Sequence, residues 1–175
     1  MHKVVAIVAL LLIRQIGFAS PLLQQYVPDA RLSGETTRYR YLFFDLYDAS
    51  LYAPNGQWSM GQPFALSLTY LRHIKGEKIA EQAVAQIRNL GFDDEVRLAS
   101  WYSQLRKIIP DVGRNKTLTG VYLPGDKTVF LRDEKPIGII RDADFGRWFF
   151  SIWLSDKSPE PQPFRVLTGT QISYQ

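Results

Sequence analysis

The chain has 175 residues, of which 46% are hydrophobic, and its formal net charge is +4. A chain of this length can bury a sizeable core as one domain without a disulfide or a structural metal. Because it contains no cysteine and only two histidines, thiol catalysis, disulfide bonds, cysteine zinc sites and iron–sulfur clusters are excluded.

Residues 1–19 have the pattern of a secretory signal peptide. Lys3 supplies the positive charge, an unbroken apolar run follows over residues 4–13, and small residues precede an expected cleavage before Ser20. We therefore expect the segment to be removed and the protein to be exported to the periplasm. An uncleaved anchor is the alternative, because Arg14 directly after the run is atypical of a cleaved signal.

Export would also reduce the positive charge. Of 21 basic residues Lys3 and Arg14 would be lost, so 19 would remain against 17 acidic ones, and the formal charge would be +2. Because no cluster of basic and aromatic residues accompanies this small excess, the sequence does not predict nucleic-acid binding.

The first half of the chain predicts antiparallel strands after an irregular lead-in over residues 20–29. Residues 30–33 form a short strand, and residues 36–53 are rich in aromatic and β-branched side chains, which indicates one extended strand or a bent pair. Asn55-Gly56 supports the positive φ angles of a tight turn. The chain should therefore return antiparallel over residues 62–71.

Two helices and a three-stranded meander follow. From Gly76 to Gly91 apolar residues recur at spacings of three and four. A second helix begins at about Asp93, its expected N-cap, and ends before Pro110. The strands of the meander are expected over residues 117–123, 128–132 and 137–140.

A third helix is expected after Asp142, and the prolines that follow exclude regular structure until a last helical turn over residues 164–168. These prolines are Pro159, Pro161 and Pro163. The order ββ, αα, βββ, α indicates an α+β domain over residues 30–175, with one large antiparallel sheet and a layer of helices on a face.

Common catalytic motifs are missing. The sequence has no G-x-S-x-G, Walker, G-x-G-x-x-G or H-E-x-x-H pattern, and after export His73 would be the one histidine. It stands between Arg72 and Ile74 at the end of a strand, where a surface or capping role is the simpler interpretation. We therefore assign no catalytic residue, metal ligand or cofactor.

Asp45 and Asp48 lie in an aromatic stretch, where a carboxylate needs a cation or several hydrogen bonds, or else a raised pKa. Residues three apart in one strand point to opposite faces, so these two should not form an acid/base pair. Aromatic side chains with hydroxyl tips beside charged groups are suited to line a slot for an apolar ligand with a polar head. A packed core edged by ion pairs is the alternative. The candidate ligand-binding residues are Arg38, Arg40, Asp45, Tyr47, Tyr70 and Arg72.

The segment 145–154 is apolar around almost its whole circumference. A helix of this kind is normally buried on both sides. Peripheral contact with a membrane or a lipid is the alternative.

Three sequence blocks carry a family resemblance. Residues 45–53 read DLYDASLYA, residues 70–81 read YLRHIKGEKIAE, and residues 145–159 read FGRWFFSIWLSDKSP. Together they resemble the chalcone isomerase superfamily, specifically its bacterial exported branch of chalcone isomerase-like domains, over about residues 30–169. The resemblance implies an open-faced β-sandwich, a large antiparallel sheet that holds a layer of helices, with a ligand cleft between them.

The resemblance implies different functions in different branches. The plant enzymes close a chalcone into a flavanone with Arg, Lys, Tyr, Asn and hydroxyl side chains, and a sister branch holds a fatty-acid carboxylate with an Arg and a Tyr. In this chain the positions of the enzyme's Tyr, Asn, Lys, Thr and Arg-Gly pair fall at or near Ile79, Gln86, Phe64, Asp45 and Ser33-Gly34. Because an isoleucine cannot position a substrate hydroxyl and a carboxylate repels a phenolate, we do not expect flavanone formation.

The expected function is that of an exported protein that binds a fatty-acid-like or other amphipathic small molecule in the cleft. One alternative is an isomerase or lyase in which Asp45 or Tyr47 transfers a proton, since desolvation can tune an aspartate pKa toward neutrality. Another is an envelope interaction protein with no ligand, which a cleft filled by Trp and Phe side chains would favour. The sequence does not indicate an oligomeric state.

Overall fold

One antiparallel sheet of seven strands organises the protein in the computed structural model, which describes residues 19–157 and 161–170. The strands are β1 (Ala30–Leu32), β2 (Thr37–Tyr41), β3 (Phe44–Pro54), β4 (Phe64–Tyr70), β5 (Thr117–Leu123), β6 (Lys127–Arg132) and β7 (Lys135–Ile140). The helices are α1 (Pro21–Tyr26), α2 (Gly76–Asn89), α3 (Glu95–Ile108), α4 (Ala143–Leu154) and α5 (Pro161–Thr168). The expected α+β architecture is confirmed. Apart from Ala19, the expected signal peptide lies outside the described residues.

The strand order is β1, β3, β4, β5, β6, β7, with every neighbouring pair antiparallel. β2 pairs with residues 44–49 of β3, and β1 pairs with residues 52–54 of the same strand. The two short strands therefore divide one edge of the sheet between them.

The main core lies between the sheet and the layer formed by α2, α3, α4 and α5. Its largest fully buried side chains are Trp101, Phe64, Phe145 and Phe150. The apolar segment 145–154 is part of this core as helix α4, so its burial is confirmed and membrane contact through this helix is not supported.

Helix α4 packs closely on the sheet because each of the two elements places a glycine opposite an aromatic ring of the other. A Cβ atom added at Gly146 would lie 2.6 Å from the Tyr122 ring, and one added at Gly120 would lie 2.9 Å from the Phe150 ring. Neither distance is compatible with an ordinary side chain, so both positions require glycine for the observed packing.

The opposite face of the sheet is partly covered by α1. Leu23 and Val27 pack there against Ala65, Val121 and Val129, which form a second, smaller core. The expectation of an irregular lead-in over residues 20–29 is wrong at this point. Ser20 caps the helix, a proline occupies its first turn, and burial of its apolar side stabilises a segment too short to be helical alone.

Residues 36–53 form a tight hairpin, which is a sharper change of direction than the extended strand or bent pair that the sequence predicts. Tyr41 pairs with Phe44, so Leu42 and Phe43 form a two-residue turn, in which Leu42 has a left-handed φ of 54°. Asn, Asp and Gly, the residues usual in such a turn, are absent from these two positions, and the sequence pattern therefore does not reveal the turn.

A register shift in the same hairpin changes the orientation of its acidic residues. Arg38 pairs with Asp48 and Arg40 pairs with Asp45, with an irregularity between Tyr39 and Arg40. Because Arg38 and Arg40 are two residues apart and share a face, Asp45 and Asp48 share it too. The expectation that these two carboxylates point to opposite faces is therefore wrong.

The other turns and caps agree closely with expectation. Asn55 and Gly56 both have positive φ angles in the turn before β4, and Gly91 has a φ of 105° after α2. Asp142 caps α4, whereas α3 is capped by Asp94, one residue later than expected.

The C-terminal part is more helical than the prolines suggest. α5 begins at Pro161 and extends through the predicted turn at residues 164–168, so the expectation that Pro161 and Pro163 exclude regular structure is wrong. Both stand in the first turn, where backbone N–H groups have no partner within the helix. Within the described parts of the chain, no helix has the length and apolar content needed to span a bilayer.

Candidate functional site

The six candidate ligand-binding residues do not come together at one place. Arg38, Arg40 and Asp45 lie on the face of the β2–β3 hairpin that points away from the helices, whereas Tyr47 and Tyr70 face the main core. The sixth, Arg72, follows the end of β4 and holds its guanidinium 4.4 Å from the centre of the Phe44 ring. The expected single slot is therefore divided by the sheet.

The charged residues of the hairpin neutralise one another. Arg38 donates to Asp48 at 2.7 Å and to Asp45 at 3.1 Å, and Arg40 donates to Asp45 at 2.6 Å. The hydrogen bond from Arg40, together with both guanidinium charges, holds the pKa of Asp45 below its usual range despite some desolvation. The hydrogen bond and the charge of Arg38 likewise lower the pKa of Asp48.

These pKa directions bear on the isomerase alternative. A general base works best when its pKa lies near the operating pH, which for Asp45 requires a rise. The pKa of Asp45 is lowered instead, mainly by the hydrogen bond and charge of Arg40, which argues against Asp45 as the base in that alternative. Asp45 is a half-exposed partner in an ion-pair cluster.

The tyrosine side of the predicted site is a packed aromatic cluster. The Tyr39 and Tyr47 rings stack with centroids 5.0 Å apart, and the Tyr70 ring lies 5.6 Å from that of Tyr47. The Trp153 indole donates to the Tyr47 hydroxyl at 3.0 Å. Burial, with a contribution from Tyr47, raises the pKa of Tyr70 far above its usual range, so its phenol stays protonated.

The middle of the layer between sheet and helices, where the resemblance places a cleft, is filled by aromatic rings. The Phe150 ring lies 4.9 Å from that of Phe64 and 5.1 Å from that of Phe149, and Phe149 lies 5.4 Å from Trp153. This is the arrangement that favours a protein without a ligand at this position.

A cavity of about 380 Å³ remains at one end of the layer, beside the N-terminal turns of α4. Its volume lies within the usual range of small-molecule sites, near the lower limit. Strand β5, the turn after it, helix α4 and the loop before β4 each contribute to its wall. The lining residues are Met60, Gly61, Tyr122, Pro124, Gly125, Ala143, Asp144 and Arg147.

The wall of this cavity combines apolar and charged groups. Burial raises the pKa of the Tyr122 phenol, while the nearby charge of Arg147 acts in the opposite direction. Asp144 is bound by Arg97 at 3.0 Å. Arg147 has no carboxylate within 4 Å among residues 19–157 and 161–170, so its guanidinium can hold an anionic group of a ligand.

The open face of the sheet carries a second, more polar depression of about 260 Å³. Its floor is made of hydroxyl groups that bind each other, with Ser67 2.8 Å from Thr119 and Thr69 3.0 Å from Thr117. Asp133 accepts a hydrogen bond from the Thr117 backbone N–H at 3.0 Å. A surface of mutually paired hydroxyls offers little to an apolar ligand.

The residues singled out in the sequence did not include Tyr122 and Arg147, which line the larger cavity. Each is an ordinary strand or helix residue by pattern, and they are brought together only when α4 packs on β5. In the described chain, no three His, Asp or Glu side chains come together in a way that could hold a metal ion.

Comparison with known proteins places this fold. A family described as chalcone isomerase-like matches residues 25–162. The crystal structure of a fatty-acid binding protein of Arabidopsis thaliana is similar, with a TM-score of 0.58 and 14% identity, over 78% of this chain and 87% of that one. No curated protein matches the sequence. At this identity the structural likeness shows the fold alone.

Proposed function

The chain belongs to the chalcone isomerase-like family, and from this premise we propose that it binds a fatty-acid-like or other amphipathic small molecule with an acidic head. The similar Arabidopsis protein, described as fatty-acid binding, supports a ligand of this class. The site that we propose is the cavity beside α4, since the middle of the layer is filled.

The observation that carries the proposal is the position of Arg147 in the wall of that cavity. A guanidinium without a carboxylate partner within the described chain, next to the buried phenol of Tyr122, can bind a ligand carboxylate by charge and by hydrogen bonds. Met60 and Pro124 supply apolar contact for the adjoining part of the ligand. The cavity volume suits a small molecule or part of a longer chain that extends into solvent.

Native mass spectrometry of gently purified protein, with a delipidated control, tests for a bound amphipathic molecule. Displacement of a fluorescent fatty acid from the delipidated protein then measures affinity. We expect a bound mass and saturable displacement. A consistent absence of both would refute the proposal.

A pair of arginine variants tests the site itself. Arg147→Gln removes the cavity cation, and we expect fatty-acid affinity to fall by roughly tenfold or more, the usual effect of losing a charged hydrogen bond. Arg141→Gln is the matched control, because Arg141 is exposed near the same helix and its guanidinium lies 3.7 Å from Asp126, outside the cavity wall. An equal loss of fatty-acid affinity in both variants would mean that the overall charge of the protein, and not the cavity cation, is responsible.

We further propose that the protein is exported with residues 1–19 removed, as the charged and apolar pattern of that segment predicts. The intact mass of protein purified from its native host tests this. A chain that begins near Ser20 is expected, and a full-length mass would favour the uncleaved anchor.

A second candidate function is that of an interaction protein without a small ligand. The aromatic filling around Phe149 and Phe150 favours it, because it closes the middle of the layer. The same displacement experiment separates the two candidates, since a protein without a ligand releases no probe at any concentration of competitor.

A further inference from the structure

Four consecutive apolar side chains are exposed to solvent at the tip of the β2–β3 hairpin. Their exposed fractions are 66% for Tyr41, 74% for Leu42, 96% for Phe43 and 52% for Phe44. The pairing of β3 with β4 begins only at Tyr47, so the tip extends beyond the body of the sheet. A contiguous exposed patch of this kind marks an interaction site or an aggregation hazard.

The backbone of the tip carries strain that an ordinary turn sequence would relieve. Leu42 occupies the first turn position with a φ of 54°, a conformation that glycine adopts freely and that costs other residues about 1–2 kcal/mol. The Leu42 side chain is 74% exposed, so it adds little buried apolar area to the fold in return for this conformation. Local strain of this kind is concentrated at functional sites.

At the base of the apolar tip three arginines, at positions 38, 40 and 72, stand against two aspartates, at positions 45 and 48, so one positive charge remains. Arg72 stacks on the Phe44 ring at 4.4 Å and forms no ion pair within residues 19–157 and 161–170. Arg40 donates one N–H to Asp45, and its side chain is 66% exposed. Both guanidinium groups therefore keep donors for a phosphate, the group that arginine binds well through its planar geometry.

The shape of the tip indicates which partner it suits. A stable protein interface needs about 800 Å² from each partner, and four partly exposed residues on a two-residue turn fall short of that. A bilayer surface needs only a few inserted apolar side chains, with aromatic rings at the headgroup level and basic residues at the phosphates. We propose that the hairpin tip, residues 41–44, docks on a lipid bilayer, with Arg40 and Arg72 against the lipid phosphates.

A turn replacement removes the two most exposed apolar side chains of the tip while favouring the fold. Leu42→Gly with Phe43→Ser converts the turn to a sequence preferred at these two positions, so the hairpin should form at least as readily. Val96→Ser is the matched control, because Val96 is 81% exposed on α3, away from the hairpin. Sedimentation with vesicles of equal parts phosphatidylcholine and phosphatidylglycerol measures the binding of each variant.

We expect the wild type and Val96→Ser to bind these vesicles, and the turn variant to bind at least roughly tenfold more weakly. Vesicles of phosphatidylcholine alone should bind less, since they lack the net negative charge that attracts arginine. Equal binding by the turn variant and the wild type would overturn the proposal, as would no vesicle binding by the wild type.

The lack of cysteine allows a direct measurement of insertion. Phe43→Cys creates a unique attachment point for an environment-sensitive fluorophore, and Val96→Cys provides the control position. A blue shift with vesicles at position 43 alone is expected. A tip-dependent dimer in the absence of lipid, detected by light scattering and lost in the turn variant, would instead assign the tip to a second copy of the chain.

This docking surface is independent of the proposed ligand cavity. The Arg147→Gln variant should bind vesicles as the wild type does. The turn variant should bind the fluorescent fatty acid, and release it to a competitor, as the wild type does. Failure of one experiment therefore leaves the other hypothesis intact.

Discussion

The Asp142 carboxylate joins α3 to α4, the helix that lines the proposed cavity, and its removal tests how α4 is held. It accepts hydrogen bonds from the backbone N–H groups of Asp144 at 3.0 Å and Phe145 at 3.2 Å. It also accepts from the Arg97 guanidinium and the Trp101 indole, each at 2.9 Å. One side chain thus caps α4 and binds two residues of α3.

The expected cost of Asp142→Ala follows from these contacts. Loss of the N-cap costs about 1 kcal/mol. The Trp101 side chain is almost fully buried, so its N–H left without an acceptor costs about 1–3 kcal/mol more. We therefore expect the free energy of unfolding to fall by about 2–4 kcal/mol, which is a drop in Tm of roughly 5–15 °C for a domain of this size.

The matched control is Asp94→Ala. Asp94 caps α3 through one hydrogen bond from the Arg97 backbone N–H at 3.0 Å and is exposed, so its loss should cost only about 1 kcal/mol. Urea unfolding followed by far-UV circular dichroism measures both variants. If Asp142→Ala costs no more than Asp94→Ala, the network between α3 and α4 does not have the role assigned to it.

The same carboxylate should make the stability of the folded chain depend on pH. Burial alone would raise the pKa of Asp142, but hydrogen bonds from Trp101, Arg97 and Phe145 outweigh it, so the pKa is lowered in the folded chain. A lowered folded pKa contributes stability that is complete above the pKa of the unfolded carboxyl group and is lost as pH falls through the folded value. The difference in the free energy of unfolding between the wild type and Asp142→Ala, measured by urea unfolding, should therefore shrink as the pH falls into the acid range.

Two further variants test packing and charge. Gly146→Ala should lower the free energy of unfolding by about 1–3 kcal/mol, because its Cβ meets the Tyr122 ring, whereas Gly113→Ala, with open space around it, should have little effect on urea unfolding. A small effect of Gly146→Ala would show that α4 can shift away from the sheet. Asp45→Asn should leave the protein folded and change the urea midpoint of unfolding little, because its ion pairs are partly exposed to solvent. Unfolding of that variant would show that the hairpin cluster is structural.

Much of the sheet and its helices could be predicted because their signals are local. Asn55-Gly56 specifies a turn whichever tertiary structure surrounds it, and Asp142 specifies a helix start. The turn at Leu42 could not be predicted in this way, since no residue there favours a left-handed conformation. The register shift next to it reversed the orientation of Asp48 relative to Asp45, which no alternation pattern reveals.

The candidate site was predictable only in part for a related reason. Aromatic residues such as Tyr47 and Tyr70 were correctly placed on strands, but sequence pattern could not distinguish a lined slot from a filled core. That distinction depends on how rings such as Phe150 interdigitate across the layer. The cavity depends on contacts between β5 and α4, and these are distant in sequence.

The division of one sheet edge between β1 and β2 has a consequence for solubility. Neither strand offers a long continuous edge to a foreign strand, since one has three residues and the other five. At the other edge, β7 begins with Lys135 and Pro136, a charge and a missing N–H donor that both oppose strand addition. With both edges protected against intermolecular pairing, the protein can expose an apolar hairpin tip without offering a growing aggregate a place to nucleate.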